Sequence, residues 1–125
     1  MTTKVVMVCS HSRKILNTTL TTIKNKLEYC LTHDYSFLLD CQEYSDAVSQ
    51  VNKLICLFDK YDLIWCLDMD TIITNMTYKI DQLDCLGDDV TVCAERAFAI
   101  NCGSMVFKNT ENTRWLLNTI VEKIS

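Results

Sequence analysis

From Lys4 to Cys9 the chain is a continuous apolar run that gives way to the polar stretch Ser10-His11-Ser12-Arg13, the pattern of a buried strand opening into a loop. Leu16, Leu20, Ile23, Leu27 and Cys30 then recur at steps of four, three, four and three, which predicts an amphipathic helix with Ser12 as its N-cap and an end near His33-Asp34. Tyr35 to Leu39 reads as a second short strand. From Ser45 onward, Val48, Val51, Ile55 and Phe58 mark one face of a second helix, and Tyr61 to Leu67 is a third buried strand.

Strands alternating with helices in this way give a β-α-β-α-β series, and handedness and burial rules turn that series into a parallel sheet covered on both faces. The texture changes after the third strand. Thr71 to Thr74, Val90 to Ala94 and Gly103 to Phe107 read as short strands separated by polar turns such as Leu86-Gly87-Asp88-Asp89. A last helix is predicted from a Thr110 cap through Leu117, Ile120 or Val121, and Ile124. With no linker, repeat or low-complexity segment, residues 1–125 read as a single α/β domain.

Composition narrows the partners. A formal charge of -4 without clustered basic residues points away from nucleic acid, and an acidic protein that holds a phosphorylated ligand calls for a cation to offset the repulsion. The eight cysteines are spread along the chain with no CxxC pair, and Cys9 and Cys66 sit inside apolar runs, so they read as reduced core thiols rather than zinc ligands or a disulfide framework. The apolar run at the N-terminus is too short for a signal peptide core, and no stretch approaches a membrane span of roughly 20 residues. A soluble, cytoplasmic protein is the expectation.

The strongest local feature is the strand Tyr61-Asp62-Leu63-Ile64-Trp65-Cys66-Leu67, which ends in Asp68-Met69-Asp70. Ligands of α/β sheets bind at the carboxyl ends of strands, and two carboxylates one residue apart point the same way if the chain stays extended. Their oxygens then suit one hard cation, Mn²⁺ or Mg²⁺. The bland alternative is that the pair only caps the strand or the next turn. Downstream, Asn101-Cys102-Gly103-Ser104 precedes another strand, and its glycine allows the backbone to approach a ligand closely.

The order YCLTHDY (29–35), Lys53 in the second helix, YDLIWCLDMDTIITN (61–75) and INCGSMVFKNTENTRWLLN (100–118) resembles the GT-A family of yeast galactosyl- and mannosyltransferases and plant xyloglucan xylosyltransferases. The resemblance covers nearly the whole chain. It implies a Rossmann-like nucleotide-diphospho-sugar transferase fold, a mostly parallel sheet flanked by helices in a minimal version. It also implies transfer of a sugar from a UDP- or GDP-sugar donor to a glycan or other acceptor, usually with Mn²⁺. By position, Asp68 and Asp70 become the metal and donor ligands, and Asn101 and Gly103 line the sugar side. Ser10 to Arg13 lie near the nucleotide base, Lys53 looks toward the phosphates, and His33 fixes a turn.

The family pattern has Gly where this chain has Asp34, and it continues with an Asp-Gln pair and a histidine beyond the helix that follows Asn-x-Gly. Asp81-Gln82 stands before that strand and is not the same pair. Water, phosphate or another subunit then completes the metal shell, which makes a homo-oligomer one expectation. Two other readings compete: a non-catalytic nucleotide-sugar-binding or interaction domain, and a haloacid-dehalogenase-like phosphatase with Asp68 as nucleophile. The second is disfavoured because fewer than about 20 residues separate Asp68 from the acidic Gly87-Asp88-Asp89, too few for βαβ crossovers.

Overall fold

A computed structural model describes residues 2–11, 17–41, 46–94 and 100–125. The three predicted parallel strands are Val5–His11 (β1), Ser36–Cys41 (β2) and Leu63–Asp68 (β3), joined through helices Asn17–His33 (α1) and Ala47–Leu57 (α2). Val90–Ala94 (β4), Ile100–Lys108 (β5) and helix Glu111–Ile124 (α3) complete the chain. The five strands form one sheet in the order β2-β1-β3-β5-β4, with β1 parallel to both β2 and β3 and with β5 antiparallel to both β3 and β4. The class expected from the alternation is therefore present, a small mixed α/β sheet with flanking helices.

Strand alternation divides the core into two layers. Val5, Met7, Leu63, Leu67 and Val106 face Tyr29 and Cys30 of α1, together with Ile80. Val6, Val8, Ile64 and Phe107 face the other way, onto Phe58 and Leu117, with Val51, Leu54 and Ile55 of α2 beside them. The two later helices start at clear capping signals. Asp46 Oδ1 accepts from the Ser49 N–H at 2.7 Å, and Thr110 Oγ1 accepts from the Thr113 N–H at 3.1 Å. The expected cap of α1, Ser12, lies outside the described residues.

Two expectations fail, and they fail together. Leu20 and Leu27 of the predicted apolar stripe are 53% and 40% exposed; its last member, Cys30, is buried as expected, but beside it the fully buried residues are Lys26 and Tyr29, which the stripe did not include. The face of α1 turned inward is thus largely polar. The segment 71–74 is not a strand; the Asn25 side chain instead donates to the Ile73 carbonyl at 3.0 Å and accepts from the Ile73 N–H at 2.8 Å. This single amide occupies both backbone groups that a strand pairing would need.

The motif YCLTHDY continues the same work one turn further along. Tyr29 Oη donates to the Tyr78 carbonyl at 2.7 Å and accepts from the Ile80 N–H at 3.0 Å. His33 Nε2 lies 2.6 Å from the Met76 carbonyl, and Tyr35 Oη donates to Asp81 Oδ1. His33 thus fixes a loop, and Asp81 is its anchor on β2's side. Between these tyrosines Asp34 closes the helix at φ 58°, and the Tyr35 N–H reaches back to the Cys30 carbonyl at 2.8 Å, a left-handed helix stop that favours glycine.

Replacing Asp34 with Gly should raise stability by about 0.5–1 kcal/mol, measured as a higher urea midpoint at unchanged slope; no gain would mean that the Asp34 side chain compensates its own backbone cost. Thiol chemistry gives a second check. Burial pushes the Cys30 and Cys66 thiols up to about 12, with Cys9 and Asp40 respectively adding to it, whereas Cys56, Cys85, Cys93 and Cys102 are exposed. Only the thiolate reacts, so iodoacetamide at about pH 8 should label the exposed set in the folded protein and reach Cys30 and Cys66 only after denaturation. Mass spectrometry that finds Cys30 or Cys66 modified at the same rate as Cys56 would contradict this packing.

Candidate functional site

The parallel pairing aligns three side chains across the carboxyl ends of the strands. Ser10 of β1 is in register with Asp40 of β2 on one side and with Asp68 of β3 on the other. All three belong to the sheet face that carries α2, since they follow Val8 and Cys66 at a spacing of two. They line one cavity of about 470 Å³ together with Gln50, Val51 and Leu54 of α2 and with Cys102, Gly103 and Met105 of β5. The position is the expected one for an α/β sheet: β1 leads to β2 on one side and has β3 on the other, so the crevice opens where strand order reverses.

Strand β5 contributes through an irregularity. Val92 pairs with Met105 but Cys93 pairs with Asn101, so the register against β4 breaks over Cys102 to Ser104 and the bulged stretch is the one that meets the cavity. Gly103 is not in a left-handed conformation, so its use here is the missing side chain rather than backbone freedom. On the opposite sheet face the Trp65 indole N–H donates to Ser104 Oγ at 3.0 Å, and the same indole meets the Tyr29 ring edge-on at 5.6 Å. The bulge is thereby tied to α1 through β3.

Beyond Asp68 the chain turns. The Asp68 carbonyl accepts from the Thr71 N–H at 3.4 Å and from Thr71 Oγ1 at 2.7 Å, which places Met69 and Asp70 in a turn rather than in the extended conformation expected from the spacing. The two carboxylates still share one field. Partial burial first, and then the Asp70 carboxylate, raise the Asp68 pKa, with Lys26 acting in the opposite sense. Among the described residues no group of three His, Cys, Asp or Glu side chains is gathered as a metal site. Two neighbouring carboxylates are nevertheless the donor chemistry a hard divalent cation takes, with the remaining positions left to ligand oxygens.

Of the residues singled out in the sequence, Ser10, Asp68 and Gly103 meet in the cavity, whereas Asp70 is not among its lining residues and stands in the turn that follows Asp68. Lys53 lies on α2 with its ammonium 2.9 Å from Asp40 Oδ1. Asn101 is placed in β5 opposite Cys93, and Arg13 falls outside the described residues. Two participants went unread. Asp40 gave a signal, an acidic residue closing the second strand just as Asp68 closes the third. Lys26 gave none, because a lysine on a helix is ordinarily solvated.

Lys26 is 0% exposed, and its ammonium donates to the carbonyls of Thr22 and Met69, both at 3.3 Å, and of Thr71. Thr22 Oγ1 joins it on the Met69 carbonyl at 2.6 Å. Burial lowers the Lys26 pKa, and Cys9, Asp70 and Asp68 oppose that shift. A buried cation therefore lies directly behind the turn that carries the acidic pair.

Comparison with known proteins bears on the fold and the family. No curated protein sequence matches the chain. Among solved structures the fold is similar to the crystal structure of a glycosyltransferase involved in the glycosylation of the major capsid of PBCV-1, with a TM-score of 0.72 at 15% identity. That match covers 95% of this chain and 66% of the other, so the chain spans just under two thirds of that enzyme's length. The family model for the galactosyl transferase GMA12/MNN10 family matches residues 2–84, from before β1 to beyond the acidic turn, and the chain belongs to that family.

Proposed function

We propose that this chain binds a nucleotide-sugar donor in the cavity at the carboxyl ends of β1 to β3 and acts as a metal-dependent glycosyltransferase. The observation that carries the reading is the rung Asp40-Ser10-Asp68 lining that cavity, with Asp70 in the adjoining turn. Family membership sets the phosphatase alternative aside.

Asp68 and Asp70 hold Mn²⁺ or Mg²⁺, with diphosphate oxygens and water filling the other positions. When bound, the metal supplies Lewis-acid stabilisation of the negative charge on the departing nucleoside diphosphate. The chain's own groups supply placement. Ser10 offers a hydroxyl in the cavity floor between two carboxylates, and Gly103 leaves room for the sugar on the β5 side, with Asn101 next to the same bulge. Lys53 is half exposed in its pair with Asp40, a kind of pair worth less than about 1 kcal/mol, so a diphosphate competes for it at little cost. The cytoplasmic and self-associating character expected from the sequence belongs to the same proposal.

Titration calorimetry with UDP and GDP, each with and without Mn²⁺, tests the reading. The wild type should bind one of them in a metal-dependent way, and Asp70→Ala or Asp68→Asn should weaken that binding about 100-fold, roughly 2.7 kcal/mol. Affinity that ignores both substitutions would end the metal assignment. Donor hydrolysis or transfer by the wild type separates an enzyme from a binding domain.

A further inference from the structure

Lys26 is the most deeply buried charge among the described residues, and all three of its N–H donors are spent on main-chain carbonyls. Two of these carbonyls, Met69 and Thr71, flank Asp70. The turn has its own hydrogen bonds through Asp68 and Thr71, so the ammonium does not create it. What Lys26 adds is a fixed rotation of the peptide units on either side of Asp70. We propose that Lys26 is a positioning residue of the donor site: acting through the Met69 and Thr71 carbonyls, it holds the Asp68 and Asp70 carboxylates in one cation-binding arrangement. This rests on the donor-site reading above.

The geometry distinguishes this role from ordinary core packing. An ammonium without partners is costly to bury, and an apolar side chain of the same length would fill the same volume without that cost. The position therefore gains nothing from lysine as filling. It gains three fixed donors, two of which hold the main-chain carbonyls on either side of Asp70 from behind. The charged and titratable groups that face it are Asp68, Asp70 and the Cys9 thiol. Tyr29 offers a matched comparison, one turn along the same helix face, because its hydroxyl also holds main-chain groups of the following segment, at Tyr78 and Ile80.

The experiment compares Lys26→Met and Lys26→Gln with Tyr29→Phe. All three should lower the melting temperature. The readout that separates them is the ratio of UDP or GDP affinity with Mn²⁺ to that without it. Both Lys26 variants should reduce this ratio at least tenfold, while Tyr29→Phe keeps it within twofold of wild type. Folded Lys26 variants with the wild-type ratio overturn the proposal. If the wild-type ratio is itself one, the donor-site reading has failed, and hydrogen exchange decides the role of Lys26 alone. Tenfold faster exchange at the Thr71 and Ile73 amides in Lys26→Gln, with no change there in Tyr29→Phe, supports the clamp. Unchanged exchange overturns it.

Discussion

A lysine ammonium placed in the interior must be met by acceptors, and the segment after β3 must place backbone carbonyls that no strand or helix takes up. In this protein each need answers the other. Burying an unpaired ammonium costs several kcal/mol even after relaxation, and an unmatched buried carbonyl costs about 1–3 kcal/mol. Lys26 joined to Thr22, Met69 and Thr71 removes both penalties at once. The arrangement extends down α1. Thr22, Asn25, Lys26, Tyr29 and His33 fall on one helical face, and each has a hydrogen-bonding contact with main chain between Met69 and Ile80. An irregular stretch is shaped by a regular one.

The sheet connects that face with the cavity. Along β3, Leu63 and Leu67 pack with Trp65 toward α1, while Ile64 and Cys66 turn toward α2 and α3. Asp68 follows Cys66 in this alternation and so arrives on the cavity side, although the turn beyond it is built from the α1 side. The strand is thus a partition with the ligand face in front and the supporting face behind. Trp65 reaches across the same sheet edge to Ser104, which ties the bulge of β5 to the Tyr29 ring.

Much of this was legible in the sequence, for identifiable reasons. β1, β3, α2 and α3 announce themselves by apolar periodicity, and Thr110 caps α3 as its position implies. The acidic pair was visible because it ends an apolar strand. The inward face of α1 was not visible, because periodicity registers apolar burial and this face is buried through hydrogen bonds. Leu20 and Leu27 remain exposed beside it while Ile23 is half-buried and Cys30 buried, so the apolar stripe met the inward face only at its edge. The same blindness turned Thr71-Ile72-Ile73-Thr74 into an expected strand. Its β-branched residues favour an extended chain, but Asn25 claims the Ile73 backbone first.

The charges around the cavity are the physical ground for the proposal that the donor brings a cation of its own. Asp40 and Asp68 line the space, and Asp70, in the turn after Asp68, is close enough to act on the Asp68 carboxylate. Lys53 is paired with Asp40, and Lys26 sits behind the turn with its donors committed to carbonyls. A diphosphate entering this field meets like charge at close range, where each unit pair at about 4 Å opposes it by roughly 4 kcal/mol at an effective dielectric of 20. The proposed divalent ion, held by Asp68 and Asp70, would supply the positive charge that offsets this repulsion. Lys26 has no direct share in that offset: its donors are committed to the Thr22, Met69 and Thr71 carbonyls behind the turn, so it would act on the proposed ion only through the backbone on either side of Asp70.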